Sequence, residues 1–182
     1  MFIQTEQTPN PATLKFLPGC AVMEDGTADF PTADSAARSP LATRLFALDG
    51  VEGVFLGSDF ITVTKADDGD WQVLKPMILG SIMEHYNSGA AAVAADVLEE
   101  EDAGEDGEVV AQIKELLDTR VRPAVAQDGG DITFRAYKEG VVFLRMQGAC
   151  SGCPSSTATL KVGIENLLKH FIPEIREVRA AE

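Results

Sequence analysis

An acidic segment without aromatic residues lies near the middle of the chain and limits each half to a small domain. Residues 88–108 read SGAAAVAADVLEEEDAGEDGE, in which small residues give way to a run of acids. Like charges in such a run repel one another, and no aromatic side chain anchors it in a core. The pattern predicts an acidic flexible linker over residues 89–107 between two domains, residues 1–88 and residues 108–182. It also allows the helix before the linker to continue into the Ala-rich front half.

The first domain is predicted to combine strands and helices. Residues 1–17 indicate two strands around a Pro-Asn-Pro turn, and Ser39 followed by Pro40 is a typical helix start. Residues 51–65 are rich in Val, Ile and Phe and predict a strand pair. A further helix is predicted to begin at Pro76. These elements form an α+β unit of ordinary small-domain size.

The second domain is predicted to have the order α-β-β-α, with a short closing strand. Apolar residues recur at helical spacing after the linker until Pro123, which kinks or ends that helix. A DGGD turn at residues 128–131 leads into two strands that reverse at residues 138–140. The following helix carries one apolar stripe and ends at Pro173. The fold class is therefore α+β, with two small α+β domains joined by the acidic linker.

The charge balance excludes several classes of partner. The 182 residues include 29 Asp and Glu against 15 Lys and Arg, for a net charge of −14. This charge repels phosphate backbones and anionic membranes, so we expect neither nucleic acid nor membrane as a partner. No apolar run approaches the roughly 18 residues that a membrane span needs. The first residues lack a signal or transit pattern, which predicts a cytoplasmic location, or the mitochondrial matrix if a transit peptide has been removed.

The most informative stretch for chemistry is GACSGCPSS, residues 148–156. It holds two of the three cysteines in a CxxC spacing. We expect this loop to leave a strand and enter a helix, whose N-terminal N–H groups and dipole lower the cysteine pKa and favour partly exposed thiolates. Gly148 and Gly152 let the backbone approach whatever the sulfurs hold. Cys150 and Cys153 are therefore the candidate metal-binding and cofactor-binding residues.

Two thiolates are only half of the four ligands that a closed zinc site or an iron-sulfur cluster usually has. At 1.5 Å per residue, His170 lies about 22 Å along the predicted helix from Ser155, too far to complete the site. Cys20 would add one sulfur at most, and no second ligand stands beside it. We therefore expect the missing ligands to come from a second subunit. Two CxxC motifs facing each other supply four thiolates, which suit a 4Fe-4S cluster, a 2Fe-2S cluster or a zinc ion.

The residues around the CxxC carry a family resemblance. Two stretches resemble the C-terminal domain of the NifU-like (Nfu) iron-sulfur scaffold proteins: IKELLDTRVRPAVAQDGGDI and GACSGCPSSTATLKVGIENLLKHFIPEI. Near the start, TPNPATLKFLPG and GTADFP resemble the separate Nfu N-terminal domain.

The resemblance implies a scaffold or carrier, not an enzyme. Such a carrier holds a 4Fe-4S cluster between the subunits of a homodimer and passes it to apo iron-sulfur proteins. Upstream cluster assembly proteins are the implied donors. The family's ligands carry over onto Cys150 and Cys153 alone.

Two alternatives from other classes stay open. A CxxC at a helix N-terminus also describes the active site of a thiol-disulfide oxidoreductase of the thioredoxin type. Against it, the predicted helix follows a hairpin instead of a βαβ unit, and no aromatic residue precedes the first cysteine. The second alternative is a structural dimer bridged by zinc through the same four sulfurs.

Overall fold

The chain folds into two compact units, Met1–Leu98 and Glu99–Glu182. Both contain helices and strands, which confirms the predicted α+β class. The computed structural model describes residues 2–24, 26–94, 107–150 and 154–181, with the backbone alone over 154–157. In the described part, no helix is both long enough and apolar enough to cross a membrane.

The first unit is built on an antiparallel five-stranded sheet of order β1-β2-β5-β4-β3. Its strands are β1 (Gln4–Gln7), β2 (Thr13–Leu17), β3 (Ala28–Phe30), β4 (Val51–Leu56) and β5 (Ile61–Lys65). Two helices, α1 (Pro40–Phe46) and α2 (Trp71–Ser88), contribute to the same core as the sheet. The four strands predicted from residues 1–17 and 51–65 are present. The short β3, which pairs with β4, was not predicted.

Local capping decides where the two helices begin. Ser39 precedes α1 and its Oγ accepts a hydrogen bond from the Ala42 N–H at 3.0 Å, as the Ser-Pro pattern predicts. The predicted start of α2 at Pro76 is wrong. Asp70 accepts a hydrogen bond from the Gln72 N–H at 2.8 Å, so the helix begins at Trp71 and Pro76 lies inside it. A side-chain cap thus fixes the start of α2 more than one turn before the proline.

The chain after α2 packs back onto the first unit instead of extending the helix. Gly89 has a φ of 72°, a left-handed conformation that ends the helix. The Ala94 N–H then donates to Arg38 O at 3.0 Å, and the Ser39 hydroxyl donates to Ala92 O. The interpretation that the Ala-rich front half continues the helix is therefore wrong. The rest of the predicted linker, residues 95–106, lies outside the described residues.

His85 is fully buried near the C-terminal end of α2. Neither of its ring nitrogens has a well-aligned hydrogen-bond partner in the described part of the chain. Burial lowers the pKa of His85, the charge of Arg44 lowers it further, and the backbone of Ala90 offsets part of the effect. Arg44 is itself paired with Glu84, at 3.2 Å. His85 is therefore a neutral imidazole in the folded first unit.

This burial predicts that the first unit loses stability as the pH falls. The unfolded chain binds a proton at the ordinary His pKa of 6.5, whereas folded His85 binds it only at lower pH. Stability is therefore greatest above pH 6.5 and decreases below it. We expect urea unfolding, followed by the fluorescence of Trp71 in the same helix, to show this decrease between about pH 8 and about pH 5.

His85→Leu should remove most of that pH dependence, because the leucine has no proton to bind. His170→Leu is the matched control, since His170 is exposed and lies in the second unit. The assignment would be contradicted if the wild-type unfolding midpoint did not change across this pH range. It would also be contradicted if the midpoint of His85→Leu changed with pH as much as that of the wild type.

The second unit has a three-stranded sheet with β7 in the centre. Its elements are α3 (Glu108–Leu116), a π-helical turn (Leu117–Val121), α4 (Arg122–Gln127), β6 (Gly130–Lys138), β7 (Val141–Gly148), α5 (Pro154–Phe171) and β8 (Glu177–Ala180). β6 pairs antiparallel to β7, and β8 pairs parallel to β7 on its other side. This order agrees with the predicted α-β-β-α and closing strand.

Two backbone features complete this unit. The first helical segment does not end at Pro123: it passes through the π-helical turn into α4, and Pro123 is the second residue of α4. The hairpin between β6 and β7 turns through Glu139 and Gly140, with φ values of 50° and 82°. Two consecutive left-handed residues match the right-handed twist of the flanking strands.

Candidate metal centre

The central strand of the second unit leads directly to the first cysteine of the CxxC. β7 ends at Gly148, and the Ala149 N–H donates to Gly129 O at 3.2 Å, which ties the loop to the start of β6. Cys150 follows with a relative exposure of 6% and contributes to the core of the unit. Cys153 lies outside the described residues, so the geometry of the site is given for Cys150 alone.

Cys150 rests against the backbone of Gly130, the first residue of β6. A Cβ atom added to Gly130 would lie 2.5 Å from Cys150 Sγ and 2.9 Å from Cys150 N. Real Cβ atoms do not approach other atoms this closely, so a residue with a side chain would displace the thiol. The absence of a side chain at position 130 therefore allows the sulfur to reach its place.

An ion pair between half-buried Arg122 and buried Asp131 lies next to this contact and holds the start of β6. Arg122 Nε donates to Asp131 Oδ1 and Arg122 Nη2 to Asp131 Oδ2, each at 2.9 Å. Asp131 is 3% exposed and also accepts a hydrogen bond from the Ile132 N–H at 2.8 Å. Asp118 accepts from Arg122 Nη1 at 3.0 Å on the exposed side. The bidentate geometry fixes α4 to β6 one residue after Gly130.

The charge state of Cys150 differs from the sequence expectation. Burial raises the pKa of the Cys150 thiol to about 12, and the nearby carboxylates of Asp128 and Asp131 add to this rise. The prediction of a lowered pKa and a partly exposed thiolate is therefore wrong for Cys150. In the metal-free chain its sulfur is a protonated thiol at neutral pH. A metal cation held by Cys150 would replace that proton, because coordination deprotonates a thiol.

The other candidate ligands stay apart from Cys150. His170 is exposed in the last turn of α5, with its ring edge-on to Phe171 at 5.0 Å between centroids. Cys20 is exposed and belongs to the first unit. Across the described residues, no group of three or more His, Cys, Asp or Glu side chains could hold a metal ion.

Comparison with known proteins identifies the family. The family model "Scaffold protein Nfu/NifU N terminal" matches residues 3–89, and the model "NifU-like domain" matches residues 113–179. A human protein named "NFU1 iron-sulfur cluster scaffold homolog, mitochondrial" is 53% identical over 98% of this chain and 71% of its own length. The chain belongs to the NifU-like (Nfu) scaffold family. The predicted resemblance is thus confirmed.

A second relative shows the same extent of similarity. "NifU-like protein 4, mitochondrial" of Arabidopsis thaliana is 55% identical over 98% of this chain and 65% of its own length. The chain therefore spans about two thirds of the length of these curated relatives. A solution structure of a NifU-like protein from Saccharomyces cerevisiae is 26% identical over 52% of this chain and 86% of that chain, with a TM-score of 0.48, too low to support an assignment by itself.

Sequence reasoning missed the residues that position Cys150 in this Nfu-family chain. The DGGD segment was interpreted as a turn only. In the structure Gly130 makes room for the sulfur, and Asp131 anchors the strand. The available signal was the second of two adjacent glycines: a turn needs only one, so the other indicates a close backbone contact. The pairing of Asp131 with Arg122 had no local signal, because the two side chains meet only after α4 packs on β6.

We predict that the Arg122–Asp131 pair stabilises the second unit far more than the Arg122–Asp118 pair. Arg122→Gln leaves the Asp131 carboxylate buried without its guanidinium, which should cost about 3 kcal/mol. Asp118→Asn removes the exposed pair only and should cost less than about 1 kcal/mol. Amide hydrogen exchange of β6 and β7 measures both, because the single tryptophan lies in the first unit. Equal protection in the two variants would contradict the prediction.

Proposed function

We propose that this Nfu-family chain is an iron-sulfur cluster carrier that holds a 4Fe-4S cluster between two subunits and passes it to apo iron-sulfur proteins. The observation that carries the proposal is the CxxC at the end of the central strand of a NifU-like domain. In the described part, Cys150 has no further ligand cluster around it. A related human protein is named an iron-sulfur cluster scaffold homolog.

The proposed ligands are the sulfurs of Cys150 and Cys153 from each of two copies. A two-fold axis through the site would bring four thiolates together, which is the all-cysteine ligand set of a 4Fe-4S or a 2Fe-2S cluster. Cys20 is not one of the proposed ligands. Because each subunit supplies half of the ligands, a copy that leaves the dimer can no longer hold the cluster alone.

The chemistry of Cys150 fits a carrier better than a redox enzyme. A pKa raised to about 12 keeps the sulfur as a thiol at neutral pH, and a thiol is a poor nucleophile for disulfide exchange. Iron or zinc can still displace its proton on binding. Burial against Gly130 would hold the first sulfur in place, while incoming thiolates from a recipient exchange with the ligands stepwise. A zinc-bridged dimer through the same sulfurs is the competing metal assignment.

We further propose that residues 1–88 recognise partners or position the carrier domain, that residues 89–107 are the linker, and that residues 108–182 form the cluster domain. Upstream assembly proteins would donate the cluster. The names of the relatives above include the word mitochondrial, which supports the matrix as the location over the cytoplasm that we first expected.

The ligand assignment predicts a sharp difference among the three cysteines. After anaerobic reconstitution with iron and sulfide, the wild-type chain should hold about four irons and four sulfides per dimer. Cys150→Ser and Cys153→Ser should lose nearly all of both, because a serine hydroxyl is a poor ligand for iron. Cys20→Ser is the matched control and should load like the wild type, since Cys20 is exposed in the first unit. A full cluster in either of the first two variants, or zinc without sulfide in wild-type protein purified without oxygen, would contradict the assignment.

Shared ligands also predict that cluster binding and dimerisation are linked. The apo chain, of 19.4 kDa, should sediment largely as a monomer, and the reconstituted chain as a dimer. Adding an iron chelator should return the dimer to the monomer. Identical sedimentation of the apo and reconstituted forms would mean that the cluster does not bridge two subunits.

A further inference from the structure

The sheet of the second unit has one face buried against helices and another that no described helix covers. Ile132, Phe134, Val142, Leu144 and Val178 pack in the core with α3, the π-helical turn, α4 and α5. Their neighbours along each strand point to the opposite side, because side chains alternate in a strand. Most of those neighbours are half-buried or exposed, as expected for a sheet surface left open by residues 107–150 and 158–181, whereas Asp131 is buried and paired with Arg122.

We call this surface the open sheet face and define it by six residues: Thr133, Arg135, Lys138, Phe143, Arg145 and Arg179. Strand register places them side by side. Thr133 is opposite Arg145, and Phe143 on β7 is flanked by Ala136 on β6 and by Arg179 on β8. Arg135 is the extra residue where the register shifts between Phe134 and Ala136, and it is exposed.

The open sheet face is basic although the chain is strongly acidic. Four of its six residues are Lys or Arg. By strand register Glu177 lies on the same face and is paired with Arg179 at 3.1 Å, so the face has four cations against one carboxylate, while buried Asp131 is held by Arg122. Neighbouring strands are only about 4.8 Å apart, so Arg145 and Arg179, which are close in register on β7 and β8, lie within about one Debye length of each other.

The distribution of charge along the chain makes this face distinctive. Residues 107–182 contain ten Lys and Arg against ten Asp and Glu, so the net charge of −14 belongs entirely to the first 106 residues. Like charges on adjacent strands destabilise a sheet, so sheet stability does not explain the basic cluster. Charge complementarity to a partner does explain it.

The open sheet face is also close to the candidate ligand loop. β7 carries Phe143 and Arg145 and ends at Gly148, two residues before Cys150. At about 3.3 Å per residue, Phe143 lies on the order of 20 Å from Cys150. A protein docked on this face would therefore stand beside the site where we propose the cluster is held.

We propose that the open sheet face docks the acidic surface of a partner protein, whose Asp and Glu side chains meet the basic residues around Phe143. The half-buried aromatic ring between arginines suits a protein surface with an apolar centre and an acidic rim. The net charge of −14 repels a long phosphate backbone, which favours an acidic protein surface as the occupant. The idea that this partner receives the cluster rests on the proposed function. The docking proposal itself does not depend on that function.

The test uses the full apo chain, so that docking is measured without any cluster. The probe is a peptide of about 16 residues that repeats Glu-Glu-Leu-Asp, and the matched probe repeats Gln-Gln-Leu-Asn. In nitrogen-15 labelled protein, the acidic peptide should shift the amides of β6, β7 and β8, and the neutral peptide should not. The affinity should fall as the salt rises from about 50 mM to about 300 mM.

Charge reversal on the face should weaken this binding selectively. The double variant Arg135→Glu/Arg179→Glu should bind the acidic peptide at least about tenfold more weakly at low salt. Arg120→Glu/Lys75→Glu makes the same change of charge at exposed positions off the face, and should bind within about twofold of wild type. The single variant Lys138→Glu, at an exposed position next to the hairpin turn, should weaken binding in the same direction.

Four results would overturn the proposal: no shifts on the three strands, equal weakening in both double variants, equal binding of the neutral peptide, or tighter binding of a poly-U RNA of about 12 nucleotides. None of these depends on iron. If the chain fails to bind a bridging cluster but still binds the acidic peptide, only the proposed function is overturned. If it binds the cluster but not the acidic peptide, only the docking proposal is overturned.

Discussion

The close contact between Cys150 and the backbone of Gly130 is the constraint on which the candidate site depends. The sulfur can occupy its position only because residue 130 has no side chain. The neighbouring Asp131 is locked by two hydrogen bonds from Arg122, so the strand that faces the sulfur cannot easily move away. The first cysteine of the CxxC is therefore positioned by a sheet and by an ion pair with a buried carboxylate, and not by its loop alone.

The same packing explains why the thiol chemistry differs from what a CxxC at a helix N-terminus indicates. A helix dipole stabilises a nearby negative charge by about 0.3–1 kcal/mol. Removing an ion from water costs several kcal/mol, and two carboxylates near Cys150 oppose a thiolate further. Burial therefore outweighs the dipole. A sulfur of this kind is a neutral thiol, and a metal cation bound to it would have to replace its proton.

Local patterns in the sequence were sufficient for most of the fold. Ser39 before Pro40 predicted the start of α1, and the Lys-Glu-Gly reversal predicted the hairpin between β6 and β7. Prediction failed where a neighbour in the chain competed with the obvious signal: Asp70 capped α2 ahead of Pro76, and Gly89 ended it before the Ala-rich segment.

The two cysteines could be found from their spacing. The surroundings of Cys150 could not, because Gly130 and Arg122 reach it only through tertiary packing.

The pairing of β8 has a consequence for the integrity of the site. Because β8 runs parallel to β7 and pairs with Val141–Leu144, this half of the strand that leads to Cys150 has hydrogen-bonded neighbours on both sides. Without those last residues, Val141–Leu144 would become a sheet edge with unpaired N–H and C=O groups. Exposed edges of this kind pair with other chains. The short final strand thus shields part of the strand before Cys150 from pairing with other chains, as well as completing the sheet.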